Sequence, residues 1–408
     1  MQQPSLVKQL VTAILLIAIG GVVGFQIGHR NVLTATGVDI QALLSKTDQP
    51  AQYKNVDFSQ FWDVWSILDK NYLDPTKLDP KKQVYGAIEG MTNSLGDPYT
   101  LYLPPTEQKR SSEDLAGSFF GVGIQLGYKD KTLAVIAPLK GTPAEKVDVK
   151  SGDLILHLKD STKNLDVDTI DMSLEDAVDK IRGQKGVPIT LTLAREGVAK
   201  PFDVAIPRGE IVVPSVELTY AEKNGKRAAV IHLSRFGGQT DDEWNTIVNE
   251  IIKQKNLSGV ILDMRNNPGG YLDGAVNLAS EFIKEGLIVS QEGREKTQKY
   301  TVNRVGQLTE IPIEVLINKG SASASEILAG ALRDRRNAKL FGENSFGKGT
   351  VQDAMELPGG AGLHVTIGRW LLPNGDWIHG KGIAPTETVT DDPNTPNDEV
   401  VDKALDSF

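Results

Sequence analysis

Residues 311–352 most constrain the fold of this 408-residue chain, because a strand is predicted to turn abruptly into a helix within them. Residues 311–317 are mostly apolar and β-branched, which favours a buried strand. Polar residues interrupt this run, and Ser325 and Glu326 then open a helical pattern with apolar residues on one side. Such a turn exposes backbone N–H groups and serine hydroxyls at a helix N-terminus, where an oxyanion can be stabilised.

A serine hydroxyl becomes a good nucleophile only when a base accepts its proton. The chain has five histidines, and none lies in a segment whose pattern is built around it. Lys348 is the better candidate, because its neighbours in the sequence SFGKGT, residues 345–350, are small or apolar. Such surroundings lower the pKa of a lysine, and the neutral amine can then act as a general base.

The sequence GSASASE at residues 320–326, followed by FGKGTVQ at residues 346–352, resembles the signature of the C-terminal processing peptidases. This family, also called tail-specific or carboxyl-terminal proteases, consists of Ser–Lys serine proteases with a PDZ domain. The residues alone leave open which of the three alternating serines is the nucleophile. The resemblance implies Ser323 as the nucleophile, Lys348 as its base 25 positions later, and Gln352 as the residue that orients the amine. It also implies an α/β protease core of the ClpP/crotonase type, with a mixed sheet and helices, that needs no metal or other cofactor.

Two other interpretations of this segment exist. Residues 342–348 resemble a phosphate-binding P-loop, but Gly349 stands where a Ser or Thr should hold the metal, and residues 350–357 alternate like a strand. The serine–alanine run alone would also suit a closely packed helix start. The lysine motif at the family distance favours the protease interpretation over both.

Composition narrows the class of protein further. The formal net charge of −9 and the lack of a Lys/Arg cluster argue against a nucleic-acid partner. The absence of cysteine excludes disulfides and thiolate metal sites.

An apolar run at residues 10–25 predicts a membrane segment near the N-terminus. The run is long for a signal-peptide core, and no clear cleavage site follows it, so residues 1–30 are interpreted as an uncleaved signal anchor with one transmembrane helix. A buried core helix is the alternative. We expect the bulk of the protein to lie outside the cytoplasm, on the cell-envelope or periplasmic side, and residues 31–55 to form a tether.

Residues 56–106 predict an N-terminal helical segment with two amphipathic helices. The first helix carries large apolar residues at helical spacing, namely Phe58, Phe61, Trp62, Trp65, Leu68 and Tyr72. This stripe suits core packing, or alternatively a surface for self-association into a homo-oligomer.

Residues 107–200 resemble a PDZ domain. The residues Gly121, Val122, Gly123 and Ile124 are similar to the loop that binds a peptide's C-terminal carboxylate, and the peptide would add as a strand beside Ile124. A helix is predicted at residues 173–182. Arg182 at its end is either a solvated helix-end charge or a residue that couples peptide occupancy to the active site.

Residues 201–390 alternate strands and helices, which predicts an α/β sheet with its chemistry at the carboxyl ends of the strands. The turn at residues 265–271 follows a buried strand, as the serine turn does. The resemblance implies that the N–H groups of Gly269 and Ala324 form the oxyanion hole, although a purely structural turn would also suit this sequence. Residues 391–408 form the predicted C-terminal tail, with a short helix from residue 399.

Together these patterns predict a membrane-anchored serine endopeptidase. Its substrates would be proteins with a free, fairly apolar C-terminus, which the PDZ domain binds and the Ser–Lys(–Gln) site cleaves near that end. The alternative is a catalytically silent PDZ scaffold that binds protein C-termini.

Overall fold

The computed structural model describes residues 51–392, 394–395 and 397–408. The chain forms two compact units, which divide between Ile88 and Glu89. The predicted anchor and all but the last five residues of the predicted tether lie outside the described residues. Within the part of the chain that the structure describes, no helix is both long and apolar enough to cross a membrane.

Two amphipathic helices follow the tether, as predicted. They are α1 (Ser59–Asn71) and α2 (Pro80–Asn93). Helix α1 has no buried residue, and Phe58 and Trp62 are 50% and 60% exposed. The structure therefore does not place the aromatic stripe in a core, and the core-packing interpretation of these residues is wrong for the described part of the chain.

A β-rich body with its own core follows. Its helices are α3 (Pro105–Ala116), α4 (Pro143–Lys146) and α5 (Leu174–Ile181). Its strands are β2 (Ser118–Gly121), β3 (Ile124–Lys129), β4 (Thr132–Pro138), β5 (Leu154–Asp160), β6 (Leu165–Asp168), β7 (Pro188–Ala194), β8 (Phe202–Pro207) and β9 (Gly209–Val212). Strands β2 and β9 pair with each other, and the others form an antiparallel sheet in the order β3-β4-β5-β7-β8, with β6 beside β5. A separate hydrophobic cluster that includes Leu133, Ile155 and Leu191 fills this body.

The remaining elements build two further sheets. Their strands are β1 (Leu101–Leu103), β10 (Val216–Lys223), β11 (Lys226–Leu233), β12 (Gly259–Asp263), β13 (Leu287–Gly293), β14 (Thr297–Thr301), β15 (Ile313–Ile317), β16 (Leu340–Gly342), β17 (Thr350–Glu356), β18 (Gly362–Leu371) and β19 (Glu387–Thr388). The first sheet has the order β10-β11-β12-β15-β16-β19, and the second has the order β1-β18-β13-β14 with β17 paired to β18. The helices are α6 (Thr240–Ile251), α7 (Leu272–Phe282), α8 (Ala324–Arg336) and α9 (Glu399–Ser407).

Strands β12 and β15 lie at the centre of the first sheet and are buried along their whole length. They are parallel to each other and to β11 and β16, which explains their continuous apolar sequences. Helices α6, α7 and α8 pack on one face around Trp244 and Phe282, while α9 covers the other face. The predicted buried strands and the C-terminal helix are thus confirmed, and the loops after β12 and β15 leave the same edge of the sheet.

Strand β17 begins directly after the Lys348 loop. A P-loop requires a helix at this point. The strand therefore excludes the nucleotide-binding interpretation of residues 342–348.

Candidate active site

The three alternating serines have different surroundings. The hydroxyl of Ser321 donates to the carbonyl oxygen of Met264 at 2.8 Å, and that of Ser325 donates to the carbonyl oxygen of Asn267 at 2.8 Å. Both side chains are fully buried. Ser323 instead lines an open cavity and has φ 55° and ψ −116°, in the left-handed half of backbone space that a non-glycine residue adopts only at an energetic cost. Of the three, Ser323 is the serine that faces a space a substrate can enter.

The cavity has a volume of about 730 Å³. It brings together the five residues assigned to catalysis from the sequence, namely Ser323, Ala324, Gly269, Lys348 and Gln352. Arg110 on α3 and Glu175 on α5 lie in its wall, so the β-rich body contributes to it as well.

Lys348 is half-buried in this cavity. Burial lowers the pKa of its amine, and the negative charges of Asp97 and Glu326 oppose that shift only in part. The amine nitrogen lies 5.2 Å from the centroid of the Tyr99 ring. Within the described residues, no hydrogen bond joins Lys348 Nζ to Ser323 or Gln352. Lys348 and Ser323 therefore share a cavity without a hydrogen bond between their side chains.

Glu326 holds the serine turn and the lysine loop together. One carboxylate oxygen accepts from the backbone N–H of Ser323 at 2.8 Å and from that of Lys348 at 2.9 Å. The other accepts from the Ser345 hydroxyl and the Gly347 N–H, both at 2.6 Å. Burial raises the pKa of Glu326, although these four donors favour its charged form. In the sequence, Glu326 is recognisable only as part of a helix start, and no local pattern indicates this function.

Gln352 occupies a different environment from the one that the resemblance implies. Its side-chain amide donates to the hydroxyls of Thr350 and Thr366, each at 3.0 Å. The backbone N–H of Thr366 in turn donates to the hydroxyl of Thr100 at 3.0 Å. Gln352 thus belongs to a threonine network that reaches the segment containing Asp97 and Tyr99, whose proximity to Lys348 the sequence did not indicate.

The Gly269 turn lies directly against the serine turn. A Cβ atom on Gly269 would lie 2.8 Å from both the Ala322 carbonyl oxygen and Ser323 Cβ, and the residue has φ 102°. The N–H of Gly269 donates to Asn267 Oδ1 at 2.9 Å. Ala324 is the first residue of α8, where an amide N–H has no acceptor within the helix. The N–H of Ala324 could therefore donate to an oxyanion directly. The N–H of Gly269 could do so only in place of its hydrogen bond to Asn267 Oδ1.

A network of charged side chains holds Arg265, at the start of the turn that contains Gly269. The Arg265 guanidinium donates to both oxygens of Asp263 and of Asp398, and Asp398 also caps α9. Burial alone would raise the pKa of Asp263, but hydrogen bonds from Arg265 and His232 outweigh it and lower the pKa to about 2. The ionised network ties this turn to the C-terminal helix.

The predicted peptide-binding loop lies between β2 and β3. Gly123 has φ 79°, and a Cβ atom there would lie 2.3 Å from Thr142, so only glycine fits. Arg182 follows α5 and pairs with Glu113 of α3 at 3.1 Å. Its guanidinium also stacks over the Phe119 ring at 3.9 Å from the centroid. Arg182 does not line the cavity of Ser323, and its coupling role stays a prediction.

A metal centre is not evident in the described ranges, because they contain no group of three or more His, Cys, Asp or Glu side chains arranged to hold an ion.

Comparison with protein families gives three matches along the chain. The peptidase family S41 matches residues 227–389, and the PDZ domain matches residues 110–194. The N-terminal domain of the activating protease CtpB matches residues 17–106.

Curated relatives carry matching names. The carboxy-terminal processing protease CtpB of Bacillus subtilis (strain 168) is 34% identical over 327 residues, 80% of this chain and 66% of the relative. The Probable CtpA-like serine protease of Staphylococcus aureus (strain MSSA476) is 36% identical over 349 residues, 85% of this chain and 66% of the relative. The chain thus spans slightly less than two thirds of these proteins.

A crystal structure of a Bacteroides fragilis protein assigned to the S41 proteases has the same fold. The TM-score is 0.52 at 16% identity, over 84% of this chain and 96% of that one. With its serine turn, lysine loop and PDZ domain, the chain contains a domain of peptidase family S41 at residues 227–389 and is similar to the carboxy-terminal processing proteases.

Proposed function

We propose that this protein is a serine endopeptidase that binds the free C-terminus of a protein substrate through its PDZ domain and cleaves near that end. The observation that carries the proposal is the single cavity that Ser323 shares with a desolvated lysine. No other serine of the GSASAS run lines this cavity.

The chemistry follows from the groups in the cavity. The Lys348 amine accepts the proton of the Ser323 hydroxyl while Ser323 Oγ attacks the carbonyl carbon of the scissile peptide bond. The same amine then donates that proton to the leaving nitrogen, and water later releases the acyl group by the reverse sequence. For this transfer Lys348 Nζ must move into hydrogen-bonding distance of Ser323 Oγ, a change that substrate binding would supply.

The tetrahedral oxyanion requires preorganised donors. The N–H groups of Ala324 and Gly269 are close together at the serine turn, which supports this assignment. Gly269 must release Asn267 Oδ1 before it can donate to the oxyanion. Gln352 would orient the amine through its side-chain carbonyl oxygen, because its side-chain nitrogen already donates to Thr350 and Thr366.

The PDZ domain would supply substrate. Residues 121–124 form the carboxylate-binding loop, and a peptide held there adds as a strand beside β3. Helix α5 of this domain contributes Glu175 to the wall of the cavity that Ser323 lines. A peptide bound by the domain would therefore lie close to the nucleophile.

The test uses one peptide with an apolar C-terminus, prepared with a free carboxylate and as an amide. Wild-type protein should cleave the free form faster, and Ser323→Ala and Lys348→Ala should each lose a factor on the order of 10³ or more in kcat/KM. Lys319→Ala, which removes an exposed lysine from the same segment, serves as the matched control. Undiminished cleavage by Ser323→Ala would refute the proposal.

The scaffold alternative makes a distinct prediction. A silent PDZ scaffold would bind the free peptide as tightly as an enzyme does and release no cleaved product. Both functions need the PDZ domain, so only product formation by the wild type separates them.

Residues 10–25 would anchor the protein to a membrane, with the protease on the extracytoplasmic side. The apolar sequence supports the membrane anchor. The exposed aromatic face of α1 supports a further proposal, that the protein self-associates. Membrane fractionation with protease protection tests the first proposal, and sedimentation of Trp62→Ser tests the second.

A further inference from the structure

Arg235 lines the same cavity as Ser323 and Lys348, and nothing in the proposed chemistry uses it. It lies just beyond the end of β11. The next residue, Phe236, donates its backbone N–H to the carbonyl oxygen of Gly269 at 2.9 Å. The main chain at Arg235 is therefore fixed against the turn that faces the nucleophile.

The guanidinium of Arg235 is only partly satisfied. Nη2 donates to the carbonyl oxygen of Val213, but Nε is buried and has no hydrogen-bond acceptor among residues 51–392, 394–395 and 397–408. Within the same ranges Arg235 forms no ion pair. Arg110, the other arginine of the cavity, differs because it pairs with Glu175 and, at 2.5 Å, with Asp179.

Two glycines make room for this side chain. A Cβ atom on Gly117 would lie 2.8 Å from Arg235 Nη2, and one on Gly237 would lie 3.4 Å from Arg235 Nε. Nε is thus shielded from solvent, while the side chain as a whole is half-buried in the cavity wall. A guanidinium in such a position gains from a carboxylate, whose geometry matches its donors.

Three acidic residues lie in the cavity wall, and none of them forms an ion pair with Arg235 in the described part of the chain. Glu175 is bound to Arg110, and Asp114 lies 3.9 Å from Arg182 and is largely exposed. Glu107 completes the set and forms no ion pair with the residues that the structure describes. A carboxylate that enters the cavity with a substrate would be the partner that Arg235 lacks.

We propose that Arg235 is a substrate-binding residue that recognises a carboxylate close to the scissile bond. The carboxylate is either an Asp or Glu side chain or the α-carboxylate of a short tail, and both offer the same two oxygens. This inference rests on the proposed function and adds a preference for substrates with an anionic group near the cleaved bond.

Arg235 also has a structural contact, the hydrogen bond to Val213, and the test must separate the two roles. Loss of that contact would weaken all peptides equally. Loss of a carboxylate partner would weaken only peptides that carry the carboxylate.

The experiment measures peptide binding to protein with the Ser323→Ala substitution, so that the result does not depend on turnover. The first pair of peptides is amidated and differs only by Glu or Gln beside the scissile bond. The second pair differs by a free or amidated end two residues after that bond. We expect each carboxylate to tighten binding about tenfold. Arg235→Gln should abolish the difference within the Glu/Gln pair, and Arg235→Lys should retain part of it. In the pair with a free or amidated end, Arg235→Gln should reduce the difference to the part that the PDZ domain supplies. The control Arg294→Gln removes an exposed arginine and should leave the difference intact.

Three outcomes would overturn the inference. They are equal binding of both members of each pair, differences in both pairs that Arg235→Gln leaves unchanged, and an equal loss for all peptides in Arg235→Gln. A preference confined to one pair identifies which source of carboxylate Arg235 recognises. Cleavage by the protein with intact Ser323, measured separately on the Gln peptide, tests the proposed function without reference to Arg235.

Discussion

A lysine serves as a base only while its amine is uncharged. The surroundings of Lys348 favour the uncharged amine in part. Burial lowers the pKa of its amine from the usual 10.5, while Asp97 and Glu326 pull it back upward. The balance leaves the pKa lowered, so a larger fraction of the amine is neutral at a given pH than for an exposed lysine.

The first prediction concerns pH. Since activity needs deprotonated Lys348, kcat/KM should rise with pH and level off above the lowered pKa. The inflection should lie below 10.5. Steady-state rates on one peptide between pH 5 and about 10 test this. A profile that is flat across the range would contradict a lysine base.

A second prediction concerns Glu326. Glu326→Gln keeps the size of the side chain but replaces one acceptor oxygen with a donor group, so at least one of the four contacts becomes repulsive. We expect kcat to fall by about 100-fold or more, because the serine turn and the lysine loop lose their common support. The control is Glu310→Gln, an exposed carboxylate paired with Lys284. Rates within a few-fold of the wild type for Glu326→Gln, with its fold intact by circular dichroism, would show that Glu326 is not needed for alignment.

These residues differ in how far the sequence reveals them. Ser323 and Lys348 stand in a recognisable pair of motifs, and the structure brings them to one cavity. Glu326 lies in the same motif, but its function depends on a loop 21 residues later that only the folded chain brings near. Arg235 has no motif at all, because its surroundings come from segments around residues 117, 213 and 269.

At the scale of elements, the lack of a side chain at Gly269 lets its turn approach the serine turn closely. A third prediction is that Gly269→Ala lowers kcat by about 100- to 1000-fold, as loss of an oxyanion donor does. The added methyl group would meet Ser323 Cβ and the Ala322 carbonyl oxygen. Steady-state kinetics on a cleavable peptide, together with thermal unfolding, provide the measurement.

Gly225→Ala is the matched control for that substitution. Gly225 has φ 78° in the turn between β10 and β11, and nothing lies within 4 Å of an added Cβ atom. It therefore carries a similar backbone strain without touching the cavity. If both variants lost activity equally, strain and not the position of the turn would explain the effect.

Element boundaries could largely be predicted. The apolar runs gave β12 and β15, and the alternation after Lys348 gave β17. The aromatic stripe of α1 was harder, because helical spacing of large apolar residues does not tell what covers them. The pattern correctly indicated the helix but not its exposure.

At the scale of the whole molecule, the PDZ domain has a core distinct from that of the protease sheet. The fully buried ion pair between Arg208 and Asp160, at 2.7 Å, lies within it. A fourth prediction is that residues 117–213 fold alone and bind a peptide with a free apolar C-terminus but not its amide. Circular dichroism and fluorescence anisotropy measure this.

Asp160→Ala provides the control for the isolated domain. It leaves the buried guanidinium of Arg208 unpaired, which typically costs about 3–5 kcal/mol. This variant should be unfolded or much less stable. An unfolded wild-type fragment would show that the domain depends on the rest of the chain.

The shared attachment of two loops to the Glu326 carboxylate has a consequence for how the proposed protease would lose activity. The proposed nucleophile and its base are both held by this one side chain. Any local opening that frees the carboxylate would therefore displace both loops together. In the proposed protease, a partly unfolded molecule is an inactive one.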